Sequence, residues 1–300
     1  MNEFKGITPE PVSEYRATLG EGPNWLEDKQ TLMWVDIEGK QLRFYNPEDG
    51  SEDVHELPER AGAAVGHTDD TVVLAVESGF VFYDLNSRRQ TPIHDPENRA
   101  DNRFNDGKCD AAGRFWAGTM SLVGKEREGA FYCLDSDLST RRIFGDVSTS
   151  NGLGWSPDGT VLYYIDTGTQ KVQAFEFDVE RGELGAERTV VSFDDEEGFP
   201  DGMAVDADGH LWIAHYGGGR VSKWDPAAGL KVGEILLPVD NVTCCAFGGA
   251  DYGDLYITTA IDGLSDEQKA EQPLAGALFV CRPGPKGQPA HLFRHTATAE

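Results

Sequence analysis

The 300-residue sequence is poor in basic residues, with 26 Lys and Arg against 52 Asp and Glu and a formal net charge of −26 at pH 7. Nucleic acids and anionic membranes bind through basic surfaces, so we expect neither as a partner. Apolar runs are no longer than a strand, far short of the roughly 20 residues that a membrane-spanning helix requires. The N-terminus lacks a basic stretch followed by an apolar one, which predicts no secretory signal and a cytoplasmic location.

Cysteines, linkers and familiar catalytic signatures are scarce as well. The five cysteines lack the spacing of a metal finger, and we expect reduced, partly buried thiols. No linker rich in Ser or Pro divides the chain, so residues 1–300 are expected to form one domain. The sequence contains no G-x-S-x-G elbow, no H-E-x-x-H and no Walker loop. Among the histidines only His215 adjoins a repeated strand, where we expect a hydrogen-bonding role rather than a catalytic base.

Glycine and proline are abundant, at 35 and 15 residues, which is typical of short elements joined by turns. Between the turns, apolar residues alternate or form short β-branched and aromatic runs, and only Leu264 to Gln272 resembles a short helix. Four stretches share one order of strand, turn and strand, and each begins at a polar anchor residue: Glu21, Asn105, Asn151 and Asp201. Most units continue into a third strand that ends in an aromatic residue.

Weaker copies of this unit begin near Gly62 and Asn241, which gives six units. Successive glycines at the anchor position, Gly62, Gly107, Gly152 and Gly202, are 45, 45 and 50 residues apart. This period is typical of a four-stranded propeller blade. The sequence therefore predicts an all-β, six-bladed propeller of antiparallel blades around a central channel, with a solenoid of strands as the alternative.

The anchor residues carry side-chain oxygens that a propeller would gather at one end of its channel. Glu21, Asn105, Asn151, Asp201 and, in the weaker sixth copy, Asn241 share this position. Carboxylate and amide oxygens suit a hard divalent cation such as Ca²⁺, Mg²⁺ or Mn²⁺. The alternative from spacing alone is that these Asx-Gly pairs only form turns and bulges.

Six segments at these positions resemble the SMP-30/gluconolactonase/luciferin-regenerating enzyme family, and they follow the family order. They are Leu19-Gly-Glu-Gly-Pro23, Asn102-Arg-Phe-Asn-Asp-Gly-Lys108, Phe115-Trp-Ala-Gly-Thr-Met120, Ser150-Asn-Gly-Leu-Gly-Trp-Ser156, Pro200-Asp-Gly-Met203, and Gly263-Leu-Ser-Asp266 with Pro273-Leu-Ala-Gly276. The resemblance implies a six-bladed propeller that binds one divalent cation and hydrolyses sugar-acid lactones. The substrate would be an aldonolactone such as xylono-, arabino-, galactono- or gluconolactone.

By the same resemblance, Glu21, Asn151 and Asp201 would be the metal ligands, and Arg103 and Asn105 would bind the sugar hydroxyls. We further hypothesise that Asp201 is both a ligand and the general base, since no acid or base other than the two carboxylate ligands shares the anchor position. Zn²⁺ and Fe²⁺ remain alternatives to Ca²⁺, Mg²⁺ and Mn²⁺ because an all-oxygen site is permissive. Monomer and dimer are equally open.

One departure from the family pattern concerns the loop after Met120. Animal members carry acidic residues there, one of which contacts sugar, whereas this chain continues Ser121-Leu-Val-Gly124. We therefore expect a more apolar pocket wall. Two other functions stay open at this point: a metal-dependent phosphotriesterase and a non-catalytic, calcium-binding propeller.

The acidic excess is not explained by this site, which needs only two carboxylates. The remaining Asp and Glu residues fall mainly in predicted turns and blade edges. With 10 Lys against 16 Arg, the composition resembles a salt-adapted surface, on which hydrated carboxylates maintain solubility. We expect a halophilic source, against the alternative of an ordinary acidic enzyme.

Overall fold

The computed structural model describes residue 4 and residues 6–295, which form short antiparallel strands almost throughout. The strands of the first half are β1 (Glu10–Pro11), β2 (Gly20–Leu26), β3 (Thr31–Asp36), β4 (Gln41–Tyr45), β5 (Glu52–Glu56), β6 (Ala61–Thr68), β7 (Thr71–Val76), β8 (Gly79–Asp84), β9 (Arg89–His94), β10 (Asn102–Cys109), β11 (Phe115–Ser121), β12 (Gly129–Leu134) and β13 (Thr140–Val147). Those of the second half are β14 (Ser150–Trp155), β15 (Val161–Asp166), β16 (Lys171–Asp178), β17 (Glu183–Ser192), β18 (Phe199–Val205), β19 (Leu211–Tyr216), β20 (Arg220–Asp225), β21 (Leu230–Leu236), β22 (Val242–Gly248), β23 (Asp254–Thr259) and β24 (Phe279–Cys281). The helical elements are the 3-10 turns Glu27–Lys29 and Thr167–Thr169 and the helix α1 (Asp266–Glu271).

These strands form six four-stranded antiparallel sheets, which are the blades of a propeller. Blades 1 to 5 are β2-β3-β4-β5, β6-β7-β8-β9, β10-β11-β12-β13, β14-β15-β16-β17 and β18-β19-β20-β21. Blade 6 has the order β22-β23-β24-β1. The first strand of each blade packs against the first strands of its neighbours, so these six strands surround the centre of the ring. The predicted all-β, six-bladed architecture is confirmed.

The segment closing the ring comes from the opposite end of the chain. Strand β1 supplies the outer strand of blade 6, with Glu10 opposite Val280 and Pro11 opposite Phe279. The pairing extends through Val12 N–H, which donates to Leu278 O at 2.9 Å. Blade 6 therefore combines residues separated by nearly the whole described chain.

A segment that we term the C-terminal strap, residues 284–295, crosses the end of the inner strands away from the polar anchors. The amide of Phe293 donates to Gly66 O in blade 2, and that of Arg294 donates to Gly113 O in blade 3. The Gln288 side chain donates to Trp155 O in blade 4 at 3.2 Å. The strap thus ties together blades that are far from it in sequence.

The core is divided among the blade interfaces rather than concentrated at one centre. Six apolar clusters are present, one between each pair of adjacent blades. Each contains buried aromatic side chains, and the second strands of blades 1, 3 and 5 contribute the fully buried Trp34, Trp116 and Trp212. Blade-to-blade burial of apolar surface therefore supplies most of the stabilisation of the ring.

Three smaller predictions can be compared with the structure. The helix predicted at 264–272 forms at Asp266–Glu271, where Ser265 caps its N-terminus, and it buries none of its residues. All five cysteines are buried and unpaired, as expected. Within the described chain, no helix has the length and apolar character needed to cross a membrane.

Candidate active site

An irregularity recurs in every blade where the first strand carries its anchor residue. The register between first and second strands shifts between Glu21 and Asn24, between Ser150 and Leu153, and at the equivalent place in each other blade. Such a bulge interrupts the alternation of a strand and can re-aim a side chain. The bulges turn the anchor residues toward the channel mouth.

The glycine that follows an anchor is required by the crowding of the inner strands. A Cβ atom on Gly152 would lie 2.6 Å from Asp201 O, and one on Gly202 would lie 2.2 Å from Cys244 Sγ. No larger residue fits between adjacent inner strands at these points. The Asn-Gly and Asp-Gly pairs of the sequence therefore combine a side chain in the site with a close approach of the next blade.

The bulges deliver five of the predicted site residues to one pocket of 250 Å³. We call the deep part of this pocket the floor; each of its residues is at most 6 % exposed: Glu21, Arg103, Asn105, Asn151 and Asp201. We call the surrounding part the rim; its residues are half-buried or exposed: Leu19, Met120, Thr149, Thr167, Phe199, Tyr216 and Asp262. All residues that we assigned to metal or sugar thus lie together.

The Arg103 guanidinium is fixed by its own strand. Its Nη1 donates to Asn105 Oδ1 at 2.6 Å and to Phe104 O at 3.0 Å. The Asn105 amide in turn donates from Nδ2 to Ser150 O in the next blade, at 2.8 Å. Burial lowers the pKa of Arg103, an effect that the charges of Glu38 and Glu21 oppose. Arg103 is therefore a pre-positioned, buried cation at the floor.

Asn151 and Asp201 each present an oxygen without a partner. Asn151 Oδ1 and Asp201 Oδ1 are buried and accept no hydrogen bond from the protein. The orientation of Asn151 is set by its Nδ2, which donates to Thr167 Oγ1 at 3.0 Å, while Thr167 Oγ1 donates to Pro200 O at 2.8 Å. Buried polar atoms are nearly always satisfied, so these two oxygens indicate a missing partner.

The charges of the floor also indicate a missing partner. Burial, followed by the charges of Asp201 and Asp106, raises the pKa of Glu21 well above its ordinary value. Burial and then the charge of Asp106 likewise raise the pKa of Asp201. Three buried carboxylates close to one another are only partly compensated, by Arg103 at Glu21 and Asp201 and by Lys108 at Asp106. A bound cation would relieve this repulsion.

The residues present fit a hard divalent cation. No three His, Cys, Asp or Glu side chains converge on a common metal position anywhere in residues 6–295. The floor offers two carboxylates and an amide oxygen instead, a set of oxygen donors that suits such ions. The orphaned oxygens of Asn151 and Asp201 belong to two of the three predicted ligands, with Glu21 as the third.

Two expectations about other polar residues have different outcomes. Asn241 is not one of the residues that line the pocket, and its Nδ2 donates to Asp262 O at 2.8 Å. His215 is fully buried between Glu197 O, 2.9 Å from Nδ1, and Ser222 Oγ, 2.6 Å from Nε2. Burial also lowers its pKa, so His215 is a structural, neutral imidazole as predicted.

Sequence reasoning missed Asp106 and most of the rim. Asp106 is fully enclosed, its Oδ2 has no partner, and burial raises its pKa. It follows Asn105 directly, and strict strand alternation would point the two side chains in opposite directions. The rim residues Tyr216 and Asp262 come from loops and strand ends outside the repeated anchors. The register shift between Phe104 and Gly107 that accounts for the burial of Asp106 is visible only in the structure.

Comparison with known proteins adds three findings. Residues 19–261 match the SMP-30/Gluconolactonase/LRE-like region. The chain is 39 % identical over 268 residues to YvrE of Bacillus subtilis, named as a sugar lactone lactonase, covering 89 % of this chain and 92 % of that protein. It is also 39 % identical to regucalcin of Danio rerio, over 97 % of this chain and 99 % of that protein. The solved structure of a calcium-binding regucalcin from Agrobacterium tumefaciens superimposes with a TM-score of 0.91 at 28 % identity, over 96 % and 98 % of the two chains.

Proposed function

The chain belongs to the SMP-30/gluconolactonase/LRE-like family, and from this premise we propose that it is a metal-dependent lactonase that opens sugar-acid lactones to the free aldonic acids. The name of the relative YvrE refers to the same substrate class. The single observation that carries the proposal is the floor itself. There, unpartnered oxygens of Asn151 and Asp201 lie in one pocket with Glu21 and the fixed guanidinium of Arg103.

Glu21, Asn151 and Asp201 would hold one divalent cation. The formal charges of Glu21 and Asp201 would balance the two charges of the ion, and Asn151 would add a neutral amide oxygen. When bound, the cation supplies a Lewis acid for the lactone carbonyl oxygen and for water. The regucalcin relative of known structure is described as calcium-binding, which supports Ca²⁺ among the candidate ions.

Asp201 would move the proton in this reaction. The water oxygen forms a bond to the lactone carbonyl carbon while Asp201 accepts one proton from that water. The ester bond between this carbon and the ring oxygen then breaks, and the proton passes to the departing ring oxygen, which becomes the hydroxyl of the open acid.

Arg103 and Asn105 would bind and orient the substrate. Their mutual hydrogen bond fixes both side chains before substrate arrives, which lowers the entropy cost of orientation. The guanidinium keeps further N–H groups for hydroxyl oxygens of the sugar. A polyhydroxylated lactone can use these donors, whereas an apolar phosphotriester offers fewer acceptors.

The test is a pH-stat assay of a panel of aldonolactones against a panel of divalent cations, with spontaneous opening subtracted. We expect wild-type turnover with at least one cation and, for Asp201→Asn, a loss of about 10²–10⁴-fold in kcat, the range typical of the loss of a general base. Asp262→Asn is a matched control, because it neutralises a carboxylate at the rim and leaves the floor intact.

The outcomes separate the proposal from its rivals. Turnover of a phosphotriester but of no lactone would establish the phosphotriesterase instead. Metal binding without turnover of either substrate class would establish a non-catalytic propeller. A wild-type rate in metal-loaded Asp201→Asn would remove the base role of Asp201 while leaving the lactonase in place.

The surroundings of the enzyme form a separate part of the proposal. Because all five cysteines are buried and unpaired, we propose a reducing, cytoplasmic setting for a single functional domain that spans the chain. We also retain the hypothesis that the net charge of −26 is an adaptation to high salt.

A further inference from the structure

The rim of the pocket differs in chemistry from the floor. The floor is made of buried charged and amide side chains, whereas the rim carries three apolar side chains from three different parts of the ring. Leu19 precedes blade 1, Met120 is the penultimate residue of the second strand of blade 3, and Phe199 begins blade 5. A ligand that places one end on the floor therefore meets apolar surface with its other end.

Phe199 is the most unusual of these residues because its side chain is kept open to solvent. It is 50 % exposed and is the only aromatic residue among the exposed large apolar side chains of the described chain. The backbone fixes this position, because Phe199 pairs with Tyr216 of the next strand. The preceding residue, Gly198, has φ +80° and leaves no room for a side chain, since a Cβ atom on it would lie 2.7 Å from Tyr216 O. Exposed apolar surface at a pocket mouth is typical of ligand contact.

Two polar side chains of the rim are already engaged within the protein. The Tyr216 hydroxyl donates to Asp262 O at 2.9 Å. Thr167 Oγ1 donates its proton to Pro200 O and accepts from Asn151 Nδ2. A substrate hydroxyl placed against Phe199 would lose hydrogen bonds to water, and the aromatic ring offers no polar atom to replace them. A methyl or alkyl group at the same place would gain by leaving water.

We propose that Phe199 is a specificity-determining residue that selects lactones whose ring substituent farthest from the carbonyl is apolar, that is, deoxy or alkyl-bearing lactones over fully hydroxylated ones. This inference rests on the proposed lactonase function and names its substrate class more closely. Met120, from blade 3, contributes further apolar surface to the rim. Arg103 and Asn105 still bind the hydroxyls near the carbonyl, so the preferred substrate is hydroxylated at one end only.

The experiment compares L-rhamnono-1,4-lactone with L-mannono-1,4-lactone, which differ only in a terminal methyl against a hydroxymethyl group. For the wild type we expect kcat/KM to favour the deoxy lactone about tenfold. This lies near the lower end of the discrimination that one contact in an apolar pocket provides, because Phe199 is half exposed. Phe199→Ser should reduce this ratio to about 2 or less, mainly through KM, and Phe199→Leu should keep most of it. Leu230→Ser, at a 62 % exposed leucine on a blade edge, is the matched control and should leave the ratio unchanged.

Failure of this inference can be told from failure of the proposed function. An equal ratio in wild type and Phe199→Ser, with both lactones hydrolysed, would overturn the role of Phe199 and leave the lactonase standing. A wild-type preference for the hydroxylated lactone would overturn it as well. Absence of any lactone hydrolysis in the metal-loaded wild type would overturn both.

Discussion

The substitution Asp201→Asn should change the stability of the protein in opposite directions with and without a divalent cation. In the cation-free protein, Glu21, Asp106 and Asp201 are buried together, and burial and mutual repulsion raise the pKa of each of the two proposed ligands. Neutralising Asp201 removes one source of repulsion without creating a cavity, because Asn has nearly the same shape. In the loaded protein the same change removes a ligand.

The size of both effects can be worked out roughly. Replacing buried charged groups by uncharged residues of similar volume is often neutral or stabilising by about 1–4 kcal/mol, and we take about 2 kcal/mol for Asp201→Asn. With an unfolding entropy of about 2.1 cal/mol/K per residue, 300 residues correspond to about 0.6 kcal/mol/K, so the cation-free variant should melt about 3 °C above wild type. A cation at about 1,000 times its Kd adds about 4 kcal/mol, or about 6 °C, to wild type alone. The order of the melting temperatures should therefore invert.

The assay is differential scanning calorimetry of both proteins after chelation and again with saturating cation. Asp106→Asn is the informative control: it also neutralises a buried carboxylate, yet lies outside the proposed ligand set, so it should gain in the cation-free state and keep its shift with cation. Asp146→Asn, at an exposed carboxylate, should match wild type in both states. A cation-free Asp201→Asn protein that melts below wild type, or a variant that keeps the full cation-induced shift, would refute the reasoning.

Three further predictions concern pH, salt and a buried ion pair. Because the pKa values of Glu21 and Asp201 are raised above 4.5 and 3.8, cation binding must displace protons, so the affinity for the cation should rise as pH rises from 5 to 7.5. The cation-free protein should lose stability over the same rise in pH, because its folded state binds more protons than its unfolded state. Calorimetric titration in two buffers measures the protons released, and a pH-independent Kd would contradict this. Since the net charge is −26, raising NaCl from 0.1 to 2 M should increase the melting temperature by about 5 °C, which thermal scans at several salt concentrations measure; no change would argue against salt adaptation. Asp110 is fully buried and accepts hydrogen bonds from Arg114 Nε at 2.6 Å and Trp116 Nε1 at 2.9 Å. Asp110→Ala should therefore lower the free energy of unfolding, measured in urea, by about 3–5 kcal/mol, whereas Asp158→Ala, at an exposed turn residue, should lower it far less. Similar losses in the two variants would count against the buried ion pair.

The sequence predicted the architecture because each blade repeats the same local chemistry. An Asx-Gly or Glu-Gly pair, a tight turn and an aromatic third strand recur, and each reflects a local requirement: a bulge at the channel, a glycine where inner strands meet, and an aromatic side chain at a blade interface. The grouping of Glu21, Asn105, Asn151 and Asp201 follows from this repetition alone. Their roles as ligands and binding residues remain predictions.

The features that escaped prediction depend on contacts between distant segments. Strand β1 completes blade 6 with only two paired residues, too short for a periodic signal. Asp106 is buried close enough to Glu21 and Asp201 for its charge to raise their pKa values, and it lies in a bulge that breaks the alternation of the strand. Asn241 shares the anchor position but is taken up by Asp262 O of the neighbouring loop. Phe199 has apolar chemistry that usually predicts burial, and only the backbone around Gly198 explains its exposure.

The closure of the ring by β1 and the C-terminal strap also decides how this molecule would respond to force. Tension applied between residue 10 and residue 295 would act first on two short backbone pairings at Val280 and Phe279 and on the strap's few hydrogen bonds to Gly66 and Gly113. No complete blade bears that load until these contacts have broken. A molecule stretched by its ends in an optical trap should therefore open its ring at low force and then unfold its blades one after another. When the force is applied instead through handles on two inner strands, the protein should resist extension much more strongly.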